Sequence, residues 1–379
     1  MRLLHLADLH LGKRVHDFSM LEDQRYILNR ILGIIEAERV DGVLAAGDIY
    51  DKTVPSAEAV RLFDDFITEI AGRNIPVFLI GGNHDCAERI SFGAKLFAKS
   101  GVYFAGGYRG RVEPVTCQDT YGKLDIYLLP FIRPVHVRQA FPDLSEKIGS
   151  YQEAMQAVLS HIDLDRGRRN ILVAHQFVTG AVQGGSEEFQ IGGLDNVDAS
   201  LFDAFDYVAL GHIHRPQKVG RETMRYAGTP LKYSFSEAAH QKAAVIVELR
   251  EKGDIEIREI PLLPLRDMRK LRGTYEELTR RSVYENTNTE DYVQITLTDE
   301  TDIFDAVGKL RVIYPNLMKM EYDNGKTGKM PEGAAEEAAE RTPLSYMKEL
   351  FSMQNDRSMS LAQEHYLEKL AGTVWEELL

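Results

Sequence analysis

Between Arg2 and His214, five short apolar runs each end in residues able to bind a metal, and this recurrence constrains the chain more than any other feature. The stretch Gly42-Val-Leu-Ala-Ala-Gly-Asp-Ile-Tyr-Asp51 sets the pattern. Its first half reads as a buried strand. The run stops at Gly47, where the backbone can turn, and Asp48 stands just past the strand end. In an open α/β sheet that position faces the ligand crevice. Alone, a Gly-Asp pair after a strand is ordinarily a turn. Here Arg2–Leu6 runs into Asp8-Leu-His10, and Pro76–Ile80 into Gly81-Gly-Asn83-His84-Asp85. Asn170–Ala174 ends in His175, and Tyr207–Leu210 runs into Gly211-His212-Ile-His214.

Helical patterns separate these runs. Leu21–Ala37 carries Ile27, Leu28, Ile31, Leu32 and Ile35 at helical spacing, and Ala57–Ala71 does the same with Val60, Phe63, Phe66, Ile67 and Ile70. A β-α-β-α-β order implies right-handed crossovers and a mostly parallel sheet. Further strands are expected at Asp125–Pro130 and Ala243–Leu249, and a helix over Tyr151–His161, with loop elsewhere up to Pro261. A chain of 379 residues suggests two or three domains.

The character changes after Pro261-Leu-Leu-Pro264. A small α+β subdomain is expected over 265–325, opening with Arg266, Arg269, Lys270 and Arg272. In it, Thr274-Tyr-Glu-Glu277 reads as a capping box, Asp291–Thr298 as a half-buried strand, Ile303–Ile313 as an amphipathic helix and Leu317–Tyr322 as a last strand. About sixty residues form a small core to stand alone. Residues 326–341, rich in Gly, Ala and Glu, read as a flexible linker. Two amphipathic helices are expected over 342–379, one starting at Thr342-Pro343 and one near Ser360.

Lys and Arg number 45 against 58 Asp and Glu, a net charge of −13. Charge alone does not suggest a nucleic-acid binder, whose footprint is usually basic. The two cysteines, Cys86 and Cys117, have no paired spacing, which fits a reducing compartment and excludes a cysteine-based zinc site. Met1-Arg-Leu-Leu-His starts directly in a strand, without a leader pattern, and no window has the ~18–20 apolar residues of a membrane span. A cytoplasmic protein that does not engage membranes is expected.

The strand-end residues Asp8, His10, Asp48, Asn83, His175, His212 and His214 combine carboxylate, imidazole and amide oxygen. That set suits Mn²⁺, Fe²⁺ or Zn²⁺ better than Ca²⁺. Seven ligands exceed what one catalytic ion takes and match two ions sharing a carboxylate, with Asp48 the candidate bridge. Two ions ~3.5–4 Å apart can clamp the attacking and leaving oxygens of an in-line phosphoryl displacement. His84, beside Asn83, is read as a proton donor or charge stabiliser at the leaving oxygen and not as a ligand. His5, His136, His161, His240 and His365 are read as ordinary packed or surface residues, and His16 as a residue that could lie near the site.

Taken together, these motifs resemble the calcineurin-like metallophosphoesterase superfamily. Leu4-His-Leu-Ala-Asp-Leu-His-Leu-Gly12, Leu21-Glu-Asp-Gln24, Tyr226-Ala-Gly-Thr-Pro230 and Tyr233-Ser-Phe-Ser-Glu237 narrow the resemblance to the bacterial SbcD family of nuclease subunits. The resemblance implies an α/β fold: a metallophosphoesterase β-sandwich flanked by helices over 1–264, a DNA-binding capping subdomain over 265–325, and C-terminal helices. It implies two Mn²⁺ ions, one held by Asp8, His10, Asp48 and His214, the other by Asp48, Asn83, His175 and His212, with His84 as catalytic histidine. It also implies 3′→5′ exonuclease and endonuclease activity on DNA in repair and recombination. The partner would be an SbcC-type coiled-coil ATPase held by the C-terminal helices, which could supply basic surface the chain lacks. A homodimer, with a surface on the first two helices, and a nucleoid-associated location in the cytoplasm complete the expectation. One departure stands out: archaeal relatives carry a second catalytic histidine three residues after the bridging aspartate, and here that residue is Asp51, which cannot take over an imidazole's role near neutral pH.

Two other readings compete. A small-molecule phosphodiesterase or phosphatase of the superfamily shares every metal ligand, but has no need of the basic subdomain and amphipathic helices. A scaffold with a dead site has no reason to keep seven ligands and His84. A protein Ser/Thr phosphatase is disfavoured because its Asp-Arg-Gly is here Asp51-Lys-Thr.

Overall fold

A computed structural model describes residues 1–182, 196–323, 348, 351–352 and 357–367. In chain order its main strands are β1 (Arg2–Leu6), β2 (Gly42–Ala46), β3 (Val77–Ile80), β4 (Val102–Ala105), β5 (Pro114–Asp119), β6 (Gly122–Leu129), β7 (Arg169–His175), β8 (Tyr207–Gly211), β9 (Gln217–Val219), β10 (Arg221–Tyr226), β11 (Ala243–Leu249) and β12 (Ile255–Pro261). They form two six-stranded sheets, ordered β12-β11-β1-β2-β3-β4 and β9-β10-β8-β7-β6-β5. Strands β1 to β4 run parallel, as do β6, β7, β8 and β10.

Side-chain alternation makes the sandwich. Leu3, Leu44, Phe78 and Val245 from one sheet pack against Ile126, Ile171, Tyr207 and Ala209 from the other. Leu4, Leu6, Val43 and Ala45, on the opposite face, meet helices α1 (Leu21–Ala37) and α2 (Ala57–Gly72). The Ser56 hydroxyl caps α2 by accepting from the Ala59 amide at 3.3 Å. Val60, placed on the apolar face by spacing, is exposed, and Ala59 and Leu62 are buried there instead. Helix Tyr151–Ser160 covers the outer face of the second sheet through Ala154, Met155 and Val158.

Strands occur where loop is expected at β4, β5, β9, β10 and β12. The last two show the reason. Arg221–Tyr226 and Ile255–Pro261 interleave charged with apolar residues, so ladder pairing, and not burial on both faces, makes them strands. The helix over Pro134–Ala140 likewise falls where loop is expected.

Beyond Pro261, Met268–Gly273 pairs in parallel with Tyr292–Leu297, and Leu317–Tyr322 completes a three-stranded sheet. Met268–Gly273 also falls where no strand is expected. The Thr274–Glu277 capping box forms: the Thr274 amide donates to Glu277 at 2.9 Å, and the Glu277 amide to Thr274 at 3.3 Å. The helix before the last strand is shorter than its apolar pattern, Ala306–Arg311, because Asp305 enters it with a left-handed φ of 51°. Residues Met1–Thr298 and Ile303–Glu321 make one compact unit. Met268, Tyr292 and Met318 join the core beside α1, and Arg266 pairs with Asp23 (2.8 Å) and Glu22 (2.7 Å). Arg269 pairs with Asp291 at 2.8 Å, so both Arg266 and Arg269 are engaged in internal ion pairs.

The second unit comprises Asp299–Asp302 and Tyr322–Leu379. Among its described residues, 361–367 are helical, Ser360 and Gln363 cap that turn, and Lys348 meets Glu364 at 3.3 Å. The expected linker over 326–341 and most of the expected helices over 342–379 lie outside the described residues. No helix among the described residues is long and apolar enough to cross a membrane.

Candidate metal centre

The parallel strands bring their C-terminal ends to one place. Leu6 lies beside Ala45, Ala46 beside Ile80, and Gly211 beside His175. Immediately beyond, the chain takes conformations that side chains ordinarily avoid. Asp8 (φ 52°), His10 (44°), Asp48 (50°) and His212 (98°) are all left-handed. Such outliers persist only where the surroundings over-determine them, and they gather at functional sites. Here cross-strand bonds hold them: the Asp8 amide donates to the Gly47 carbonyl and the His10 amide to that of Asp48, each at 3.0 Å. The His212 amide donates to both Asp8 oxygens, at 3.0 and 3.2 Å.

All seven expected ligands converge, buried except for the half-buried Asn83. Asp8, His10 and His214 offer ligand atoms within 4.8 Å of one another; so do Asp8, Asp48 and His175, and so do His10, Asp48 and His84. Asp8, His10 and Asp48 each belong to two of these groups, and Asp48 Oδ2 faces His10, His84 and His175 at 3.7, 3.9 and 3.3 Å. Asn83 Oδ1 sits 3.0 Å from both His175 Nε2 and His212 Nδ1. His175 Nδ1 donates to the Ala46 carbonyl at 2.8 Å, which fixes the tautomer and leaves Nε2 a lone pair when the ring is neutral. That lone pair faces Asn83 Oδ1 and, at 3.3 Å, Asp48 Oδ2. His10 Nε2 and His214 Nε2 face each other at 3.1 Å.

Asn83 Oδ1, Asp48 Oδ2 and the His175 Nε2 lone pair, turned toward one another, need a positive charge among them. Spacings of 3.0–3.3 Å match adjacent ligands of an octahedral ion with bonds of about 2.1 Å, which lie about 3 Å apart. The donor set therefore fits divalent metal. Without metal, protons are redistributed instead. Burial drives His10 well below its usual range and His212 down to about 3. Burial also lifts Asp8 to about 7. For His175 burial opposes the charge, but the Asp48 carboxylate prevails and raises it to about 9.

His84 completes the constellation. Its Nδ1 lies 3.0 Å from the Asp51 carbonyl, and its Nε2 3.9 Å from Asp48 Oδ2. Asp51, at the position that departs from the archaeal pattern, pairs with Lys13 at 2.7 Å and lies 3.7 Å from His10 Nδ1. His16 instead occupies an exposed turn against Phe235.

Three residues that brace the centre carry no signal of their own in the sequence, though each lies in one of its motifs. Asp85 accepts from the amides of Ile49 (3.1 Å), Tyr50 (3.0 Å) and Gly82 (3.0 Å), tying the Asp48 turn to the Asn83 turn. Gln24 donates to the His10 carbonyl at 2.7 Å and accepts from Gly12 at 3.0 Å. Glu237, fully buried, lies 3.7 Å from His214 Nδ1 and 2.5 Å from Lys242 Nζ. Lys242 also donates to the His214 carbonyl and the Thr229 hydroxyl.

Two expected outcomes follow from this support. In Gly82→Ala the new Cβ would lie 2.1 Å from Asp48 Oδ1 and 2.4 Å from the Asp48 backbone nitrogen. The turn cannot yield without moving the carboxylate, so metal affinity in a calorimetric titration falls about 10- to 100-fold, as when other outer contacts of a metal site are lost. Glu237→Ala strands a buried ammonium at Lys242 and costs about 3–5 kcal/mol in denaturant unfolding. Burial opposes the Glu237 charge, yet His214 and Lys242 bring its carboxyl down to about 2. A folded-state value below the unfolded value of about 4.3 stabilises fully above that pH, and the stability is lost as pH falls toward 2. Glu237→Gln removes that part of the acid dependence.

The profile of the calcineurin-like phosphoesterases matches residues 1–216. A second profile, the Type 5 capsule protein repressor C-terminal domain, matches residues 264–355. The SbcD subunit of nuclease SbcCD from Staphylococcus saprophyticus is 34% identical over 324 residues, 84% of this chain and 84% of that protein. Its counterpart from Staphylococcus epidermidis is 33% identical over 84% of this chain and 85% of that one. Among solved structures, a dimetal phosphatase from Danio rerio overlays with a TM-score of 0.43 at 12% identity, covering 69% of this chain and 96% of that one. With one profile spanning more than half its length and two curated relatives aligned over most of it, the chain belongs to the calcineurin-like phosphoesterases and, among them, to the SbcD family.

Proposed function

We propose that the chain is an Mn²⁺-dependent DNA phosphodiesterase, a 3′→5′ exonuclease on duplex DNA and an endonuclease on hairpins and single strands, working with an SbcC-type ATPase in DNA end processing, repair and recombination. The observation that carries this reading is the convergence of the seven expected ligand side chains at one site, with His84 beside Asp48. The SbcD relatives supply the substrate class. Asp8, His10, Asp48 and His214 would hold one ion, and Asp48, Asn83, His175 and His212 the other. Bound there, two divalent ions would supply the positive charge that an in-line displacement needs at its attacking and leaving oxygens.

The chain's own residues do the rest. The His84 amide donates to Asp48 Oδ1 at 2.9 Å and orients the bridge. His84 Nδ1–H donates to the Asp51 carbonyl, so Nε2 is the nitrogen that takes up a proton and gives it to the leaving oxygen. Lys13 neutralises Asp51, which keeps a stray carboxylate from competing with phosphate. The C-terminal helices would dock the ATPase, the 265–325 subdomain would hold DNA, and the protein would work as a cytoplasmic, nucleoid-associated homodimer.

The test uses the full chain with Mn²⁺, with and without partner and ATP. A labelled DNA hairpin with a duplex end is compared with bis-p-nitrophenyl phosphate. Degradation of the hairpin is the expected result. Turnover of the ester with DNA spared even in the presence of partner and ATP would overturn it in favour of a small-molecule phosphoesterase.

A further inference from the structure

A groove of about 630 Å³ opens directly off the metal centre, bounded by Asn83 on one side and by Tyr108, Arg109, Phe131 and Arg133 on the other. Its floor is continuous with the ligands. Phe131 lies nearly parallel to the His212 ring (centroids 6.3 Å, 24°) and edge-on to His175 (6.2 Å). The Phe131 amide donates to the Gly81 carbonyl at 2.9 Å, locking it to the end of β3. The wall is rigid as well, because Gly81, Gly106 and Ala87 pack backbone to backbone: a Cβ at Gly106 would lie 2.4 Å from the Ala87 carbonyl oxygen.

Arginine and aromatic side chains line it together with Asp85, Glu88 and His136. The Arg133 guanidinium stands 5.9 Å from the Phe131 ring centroid. Arg109 is exposed at the groove's far side, and Tyr108 is half-buried against Phe141. Among the described residues neither Arg109 nor Arg133 forms an ion pair, although the chain carries a net charge of −13. Elsewhere arginines are taken up: Arg169 by Asp119, Arg266 by Asp23 and Arg269 by Asp291. Two guanidinium groups that form no ion pair among the described residues, lining one groove with Tyr108 and Phe131, have the chemistry that binds a single nucleic-acid strand, and Arg109 also faces the Glu88 carboxylate there. Guanidinium takes phosphate, and aromatic faces take bases without regard to sequence.

Resting on the nuclease reading, we propose that this groove holds an unpaired nucleotide next to the scissile phosphate, with its flanking phosphate on Arg109 and Arg133 and its base against Tyr108. A cavity of this size falls in the roughly 300–1,000 Å³ range of sites for small organic ligands, room for one nucleotide.

The test compares the full-length wild type with Arg109→Ala/Arg133→Ala and with Tyr108→Ala. Binding of a fluorescent, cleavage-resistant phosphorothioate oligothymidylate is followed by anisotropy across a salt series. The double variant is expected to bind at least about 10-fold more weakly and to lose about 1.4 from the salt slope, about 0.7 for each single-strand phosphate contact. Tyr108→Ala weakens binding about 5- to 150-fold, the loss of one stacked base. In Mn²⁺ assays, the ratio of kcat/KM on DNA to that on bis-p-nitrophenyl phosphate falls at least about 10-fold in the double variant. An unchanged ratio and unchanged oligothymidylate binding, in a wild type that cuts DNA, would overturn the groove while leaving the nuclease reading intact. An equal fall on both substrates would also overturn it, by assigning the arginines to support of the metal centre. A wild type that cleaves only the ester would remove the nuclease reading, and the groove with it.

Discussion

Asp48→Asn lowers turnover of DNA and of bis-p-nitrophenyl phosphate alike, by at least about 10³-fold. The substitution is isosteric and keeps an oxygen to accept from the His84 amide, which lies 2.9 Å away. What it removes is the one negative charge facing His10, His84 and His175 together, at 3.7, 3.9 and 3.3 Å. Burial disfavours that charge, but the surrounding imidazoles hold the carboxyl well below its usual range. A neutral amide cannot bridge two cations, and the charge stabilisation a metal pair gives a phosphoryl transition state is several kcal/mol, with each 1.36 kcal/mol worth tenfold in rate. Because the loss precedes any contact with a leaving group, both substrates suffer equally. Steady-state kinetics on the two substrates, beside a circular dichroism check of folding, measure it. A variant that keeps a tenth of the wild-type rate would remove Asp48 from the bridge.

His84→Gln separates the substrates instead. Removing a general acid costs about 10²–10⁴ in kcat where the leaving oxygen must be protonated, as the alkoxide of a cleaved DNA strand must. The p-nitrophenolate ion departs without a proton. Turnover of DNA is therefore expected to fall by that factor, and turnover of the ester by less than about 10-fold, with metal stoichiometry unchanged. Parallel losses on both substrates would assign His84 to metal ligation, a role its place in one cluster with His10 and Asp48 also permits.

The parts of the site that are legible in the sequence share one property: they follow apolar runs at the ends of parallel strands. Asp8, Asp48, His175 and His212 come together because strand pairing places Leu6 beside Ala45 and Gly211 beside His175, and the continuous apolar runs of these buried strands are visible in the residues. The four left-handed conformations are not legible, since Asp and His enter that region more often than most residues but only cross-strand bonds decide which of them do. Nor are the roles of Asp85, Gln24 and Glu237. Asp85 works by accepting from amides 35 and 36 residues away, and Glu237 by facing His214 across a loop. Such bonds are made by the fold and leave no periodicity behind. Strands Arg221–Tyr226 and Ile255–Pro261 are half-exposed, so charged residues mask their alternation and they read as loop. The groove beside the centre is hidden for a related reason. Tyr108 and Phe131 stand 23 positions apart, and only the approach of Gly81 to Gly106 and Phe131 brings them to one cavity.

The most direct test of the account is an Mn²⁺ titration of the metal-free chain followed by electron paramagnetic resonance. Two ions per chain are expected, about 3.5–4 Å apart, giving a spin-coupled signal that Asp48→Asn abolishes. Saturation at a single uncoupled ion, or no binding at all, would contradict the shared centre at the strand ends.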